Sequence, residues 1–388
     1  MRRLPADILT VEMKVLSKPL NLAGIDALRG VAASVVVAYH AARHLDKAYG
    51  AHILMAVFQF GHAGVDLFFV LSGFIIYFAH SEDVGRPNRL GHYLRRRFTR
   101  VFPVYWVALF VTIFLSLSGG HVFPSISDIV LSLALLPSHA EPLLGVAWTL
   151  QYEIVFYALF CLSIFNKKLG ILTFSIWFLG ILFAKLGVPF PDSLPPSISG
   201  MYNLEFFFGI AAGHLFERNK IVAPLATFLI GCSLFVGVAA LEDLQVLDGY
   251  ADVARIAYGV PALLIVGGLA EQSRRGFANI GSLLKILGGA SYSIYLFQFI
   301  FIGIFWKIRL ALNIVEPHVL VCFFVLALSG IGGGVMTHYL VERPILRLVR
   351  RKPHEARPPQ SSASDPSILP IPHLAGAGEN GTPVIPEH

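Results

Sequence analysis

Ten stretches of about twenty mostly apolar residues decide what this chain can fold into. They lie at roughly 24–44, 56–80, 100–118, 147–165, 169–186, 200–216, 223–241, 252–270, 284–308 and 318–341. A run of that length crosses the hydrocarbon core as a helix, because in lipid each backbone N–H and C=O must be paired inside its own segment. Composition agrees: 55% of the 388 residues are hydrophobic and 14% are charged, against about 25% charged in an ordinary soluble domain. Mean hydropathy is +0.68. The expected fold class is all-α, a polytopic membrane helix bundle of about ten transmembrane helices.

Placement of the basic residues orients the bundle. With the N-terminus on the cytoplasmic side, 24 of the 30 lysines and arginines fall on inner segments or inner helix ends. That bias is the positive-inside pattern and puts both termini in the cytoplasm. The net charge of +6 is therefore read as loop charge facing a cytoplasm, not as a nucleic-acid surface. Three domains are expected: a cytoplasmic lead at 1–22, a membrane domain at 23–350 and a disordered cytoplasmic tail at 351–388, where Pro, Ser, Ala and Gly replace the apolar runs. The first twenty residues lack the apolar core of a cleavable signal. The three cysteines each sit in a different apolar run without metal spacing.

Several spans carry polar groups that lipid disfavours, and such groups are functional candidates by default. The first, GIDALRGVAASVVVAYHAARH, holds Asp26, Arg29 and His40. Arg29 and His40 are eleven residues apart, about three helical turns, so they share a face about 16 Å apart along the axis. One cavity meeting both would hold an anion at one end and do proton chemistry at the other. Span two carries Asp66 in GVDLFFVLSGF, with small residues suited to close helix packing. In the inner stretch GHYLRRRFTRVFPVYW, Arg97 and Arg100 are neighbours on a helical face, and their forked donors suit phosphate. In WTLQYEIVFYALF, Glu153 is placed by residue counting at the depth of His40, allowing a carboxylate–imidazole contact. Glu205 also lies near an outer helix end. Span nine carries GGASYSIYLFQF, in which Tyr292 and Tyr295 share a face, a pattern that interhelical hydrogen bonds also explain. Gly330 and Gly334 form a GxxxG packing pattern, and Pro344 is expected to stop the last helix. No nucleophile elbow, phosphate-binding loop, dinucleotide fingerprint or zinc spacing is present.

In order and spacing, GIDALRG with Arg29-x10-His40, GVDLFFVLSGF, RRFTRVFPVYW, WTLQYEIVFY, YSIYL and VERP resemble acyltransferase family 3, over roughly residues 22–350. These are integral-membrane O-acyltransferases of bacterial envelope glycans. The resemblance implies transfer of an acyl group, often acetyl, from cytoplasmic acyl-CoA (acetyl-CoA) as co-substrate to a hydroxyl of a glycan or glycolipid acceptor. It implies a multi-pass protein of the bacterial cytoplasmic (inner) membrane, with the lipid bilayer as partner and no metal or permanent cofactor. It also implies a catalytic role for His40, with Glu153 or Asp66 orienting it, and acyl-CoA contacts from Arg29, Arg97 and Arg100. Asp26, Tyr292 and Tyr295 are supporting candidates. Many family members carry a histidine where Gln298 stands here, so no proton-transfer role is carried over to that position. The alternative is a proton-coupled transporter or flippase of an anionic or lipid-linked solute, with Asp66, Glu153 and His40 as a relay.

Overall fold

The structure, a computed structural model, describes residues 22–120, 122–185, 194–276, 280–312 and 318–350. The expected lead at 1–22 (save Leu22) and the tail at 351–388 lie outside these residues. Among the described residues every regular element is helical. The long helices are α1 (Ala23–Tyr49), α2 (Gly64–His80), α3 (Leu90–Ser118), α4 (Trp148–Phe165) and α5 (Lys167–Lys185). They continue with α6 (Asn203–Glu217), α7 (Pro224–Asp243), α8 (Asp252–Arg274), α9 (Ser282–Ala311) and α10 (Val319–Thr337).

Nine helical stretches among the described residues are long and apolar enough to cross a membrane; α6 is the exception, with 15 residues. That length rises only about 22 Å. Yet α6 runs beside α2, in the same direction and over the same depth. Glu205 lies level with Asp66 and Gly209 with Gly73, the Tyr77 hydroxyl meets His214 Nδ1 at 3.0 Å, and Ser81 Oγ donates to Glu217 at 2.6 Å. The helix is therefore a full pass, kept short because it is wrapped by protein. A Cβ on Gly73 or Gly209 would collide with the facing backbone, so these glycines let the two helices touch directly, in the manner of small-residue membrane interfaces.

Among the described residues, the contacts of the long helices place the end of α10 at the same face as the start of α1. Helices α1 and α9 run parallel: Gly30 abuts Gly288, His40 packs on Phe299 and His44 on Trp306. Helix α10 runs back against α9, with Gly330 beside Ile302 and Gly334 beside Ile294. The GxxxG pattern is thus a packing surface.

Two local readings change. Helix α3 begins at Leu90, so Arg97 and Arg100 stand on the spanning helix itself and not on a loop before it. Pro344 does not end the last helix: α10 passes into a π turn at His338–Glu342 and then a further helix, Arg343–Arg350. The π turn absorbs the proline: just before it the Arg343 N–H reaches back five residues to His338 O, a local adjustment that lets the helix run on past Pro344.

Candidate active site

Two cavities occupy the middle of the bundle. The first, about 140 Å³, is lined by Arg29, Arg97 and Arg100, with Ser72, Glu153, Tyr157 and Tyr292. The second, about 480 Å³, is lined by His40, Arg43, His62 and Glu141, with a rim of aromatic side chains from Tyr39, Trp148, Tyr152, Tyr202, Tyr250 and Phe299. Val65 and Tyr295 line both. The expected single cavity joining Arg29 to His40 is therefore two chambers with a common wall.

The first cavity is rich in arginine. The Arg97 guanidinium lies between the rings of Tyr93 and Tyr157, at 5.6 and 5.5 Å from their centroids. Its Nη2 donates to His80 Nε2 at 2.8 Å, and His80 Nδ1 donates to Asp83 Oδ2 at 2.7 Å. The carboxylate fixes the tautomer that leaves Nε2 free to accept. Arg100 lies over the Tyr292 ring at 5.5 Å and reaches Glu342 at 3.4 Å. Glu342 is itself buried and accepts from Ser293 and His338, both at 2.7 Å. Arg29 is 3.7 Å from Asp26, whose side chain is 63% exposed. Three guanidinium groups thus line one cavity with a single carboxylate, Glu153, while Asp26 and Glu342, the partners of Arg29 and Arg100, stand outside that lining. Arg95 and Arg96, next to them in sequence, point outward.

Glu153 does not meet His40. It accepts from Ser72 Oγ at 2.8 Å and from the Tyr157 hydroxyl, both in the first cavity. Residue counting failed here because the segment before α4 folds down into the bundle: Ser138–Pro142 and Gly145–Val146 line the second cavity. Helix α4 consequently starts below His40. Thr149 is level with Tyr295, one turn beneath the His40–Phe299 contact, and Glu153 lies another turn down, about 12 Å below His40 in all. Asp66 does not meet His40 either. It is fully buried and paired with Arg255 Nη1 at 2.6 Å, while Arg255 also donates to Gly249 O and lies over the Tyr202 ring.

His40 packs between the rings of Tyr39 and Phe299, at 4.9 and 4.5 Å. Neither of its ring nitrogens takes a hydrogen bond from the described residues, so both stand open to whatever enters the second cavity. The carboxylate–imidazole pair stands elsewhere in the same chamber: His62 Nε2 meets Glu242 Oε1 at 2.8 Å, and Tyr258 donates to Oε2 at 2.6 Å. The Tyr250 ring stacks on His62 at 4.6 Å and its hydroxyl bonds that of Tyr39. Burial first, then the Tyr39 hydroxyl, push the Tyr250 phenol above its ordinary range, so it stays protonated and able to donate.

Arg255, Glu242, His62 and Glu342 carry these networks, and sequence reading did not single them out. An acid or guanidinium inside an apolar run was the available signal. Arg255 lies near the outer start of its run at 252–270, where a basic residue reads as an ordinary end charge, and Glu242 falls just past the run at 223–241.

The fold and the two chambers define a membrane helix bundle with arginines at one end of a shared face and an imidazole towards the other. The sequence profile of acyltransferase family 3, an acyltransferase domain, matches residues 22–333, and the chain belongs to that family as a multi-pass membrane acyltransferase. It is 32% identical over 314 residues to the exopolysaccharide production protein ExoZ of Rhizobium meliloti (strain 1021), covering 76% of this chain and 92% of that protein. It is 26% identical over 408 residues to the acyltransferase MdmB of Streptomyces mycarofaciens, covering 92% of this chain and 99% of that protein. No solved structure matches it.

Proposed function

We propose that the protein transfers an acyl group, acetyl in the first instance, from coenzyme A thioester to a hydroxyl of an envelope glycan or glycolipid, across the bacterial cytoplasmic membrane. The observation that carries this reading is the division of one α1 face between two chambers, with Arg29 in the first and His40 in the second. The positive-inside bias assigns the arginine end, and both termini, to the cytoplasm. Coenzyme A docks there, its phosphates against Arg29, Arg97 and Arg100. Its extended arm carries the thioester towards Tyr295. The acceptor enters the second cavity, whose aromatic walls and few polar groups suit a ring with apolar faces and hydroxyl edges. A glycan acceptor also fits the likeness to a protein of exopolysaccharide production.

In the transfer step the acceptor hydroxyl oxygen bonds to the thioester carbonyl carbon while His40 takes the hydroxyl proton as general base. The carbon–sulfur bond breaks, and the proton ends on the departing coenzyme A thiol. Glu153, with Ser72 and Tyr157, holds the donor from the cytoplasmic side and not the histidine. Asp66 serves by fixing Arg255 behind the second cavity.

The test is radiolabel transfer from acetyl-CoA into envelope glycan by membranes carrying native protein or His40→Ala. Label is expected with the native protein and at least a hundredfold less with the variant, at equal amounts of folded protein. Equal labelling by the variant would overturn the assignment.

A further inference from the structure

The chambers meet at one side chain with a fixed position. Tyr295 is 8% exposed and lines both cavities, together with Val65. Thr149 Oγ1 donates to Val146 O at 3.0 Å, and the single Tyr295 hydroxyl proton is directed at Thr149 Oγ1, 2.9 Å away, with Val146 O at 3.3 Å as its second acceptor. Phe68 packs edge-on against the ring at 5.7 Å. The ring is therefore tied at its tip and braced on its flank. On α9, Tyr292, Tyr295 and Phe299 follow one another along one face. Tyr292 lies in the arginine chamber, and Phe299 touches His40.

Tyr295 thus lies on the α9 face between Tyr292, which lines the arginine chamber, and Phe299, which touches the imidazole. A thioester coming from one side and a hydroxyl from the other meet at this ring. The second chamber is the larger and holds polar groups, so a donor admitted freely into it faces hydrolysis, which enzymes suppress by excluding water from the reacting centre.

Resting on the acyl-transfer reading above, we infer that Tyr295, tied to Thr149, is the partition between donor and acceptor chambers and sets the length of acyl group that crosses. A short acyl group passes beside the ring. A longer one does not, and water does not reach the thioester from the acceptor side. Opening the partition admits both. In the leak, water's oxygen bonds to the carbonyl carbon, the carbon–sulfur bond breaks, and free carboxylate and coenzyme A thiol are released.

The experiment uses full-length protein in native membranes, supplied in turn with acetyl-, butyryl- and hexanoyl-CoA. Label entering envelope glycan and coenzyme A thiol released are measured together. Tyr295→Ala is expected to raise the hexanoyl-to-acetyl transfer ratio at least tenfold and the thiol released per acyl group transferred at least fivefold. Tyr295→Phe keeps the ring but not the tether. It is expected to hold the chain-length ratio within twofold while the leak rises. Val65→Ala widens the same wall from α2 and is expected to move both readouts the same way as Tyr295→Ala, at least threefold; it carries the test if Tyr295→Ala is not recovered folded. Native protein that transfers, with variants that match its ratio and coupling, overturns the partition alone. Native protein that transfers from none of the three donors overturns the acyl-transfer reading beneath it.

Discussion

Replacing Asp66 with Asn tests whether this acid is a structural ion-pair partner. Its carboxylate is fully buried and Arg255 is 2% exposed, with 2.6 Å between Nη1 and Oδ1. Removing one partner of such a pair leaves an uncompensated buried charge, at a cost of about 3–5 kcal/mol. Three features place Asp66→Asn at the lower end. The amide keeps one acceptor oxygen, Arg255 keeps the Gly249 carbonyl and the Tyr202 ring at 4.3 Å, and Glu205 lies buried beside the pair. The expected loss is about 3 kcal/mol, roughly a hundredfold in the folded-to-unfolded ratio. Denaturant unfolding of purified protein in mixed micelles measures it. The same measurement on Arg255→Gln and on the double variant closes a cycle, with an expected coupling of about 2 kcal/mol. The refuting result is a loss below about 1 kcal/mol in Asp66→Asn, the worth of an exposed pair. Activity should fall only in step with the folded fraction, and a larger fall at full folding would return Asp66 to the chemistry.

Two further outcomes follow from contacts described above. His80→Ala removes the acceptor that holds Arg97 Nη2; losing a hydrogen bond to a charged group costs about 1.5 kcal/mol, so KM for acetyl-CoA should rise about tenfold with kcat nearly unchanged. His80→Gln, which offers an oxygen near the lost Nε2, should recover most of that rise, and failure to do so would mean His80 acts only by packing. Gly209→Leu drives a side chain into the backbone of α2 and should abolish recovery of folded protein in detergent, read by size exclusion; a monodisperse peak of native elution would contradict the described contact of α2 and α6.

Apolar length was enough to read the bundle, because lipid leaves the backbone almost no alternative to a helix. The shared face of Arg29 and His40 was equally legible, since helical period fixes azimuth within one helix. Period says nothing about which partner faces that azimuth. Arg255 meets Asp66 across 189 positions of sequence, and His62 meets Glu242 across 180; nothing local announces either pair. Depth was misread for Glu153 because counting from a helix end assumes that the end lies at the membrane surface, and the segment before α4 dips below it. The start of α3 was missed because its first turns carry arginines, which lowered the apolar signal while leaving helix propensity intact.

The dipping segment has an evolutionary consequence. Much of the second cavity's wall comes from one connection, Ser138–Pro142 and Gly145–Val146, while Arg29, His40 and Tyr295 stand on the rigid parallel pair α1 and α9. Connections accept insertions and substitutions far more readily than packed helices do. Lineages can therefore rebuild the shape of that chamber by exchanging a single connecting segment, leaving the arginine and histidine helices untouched. Divergence in this family should concentrate in length and composition between α3 and α4, and swapping that segment between relatives is the shortest route to redirecting the enzyme.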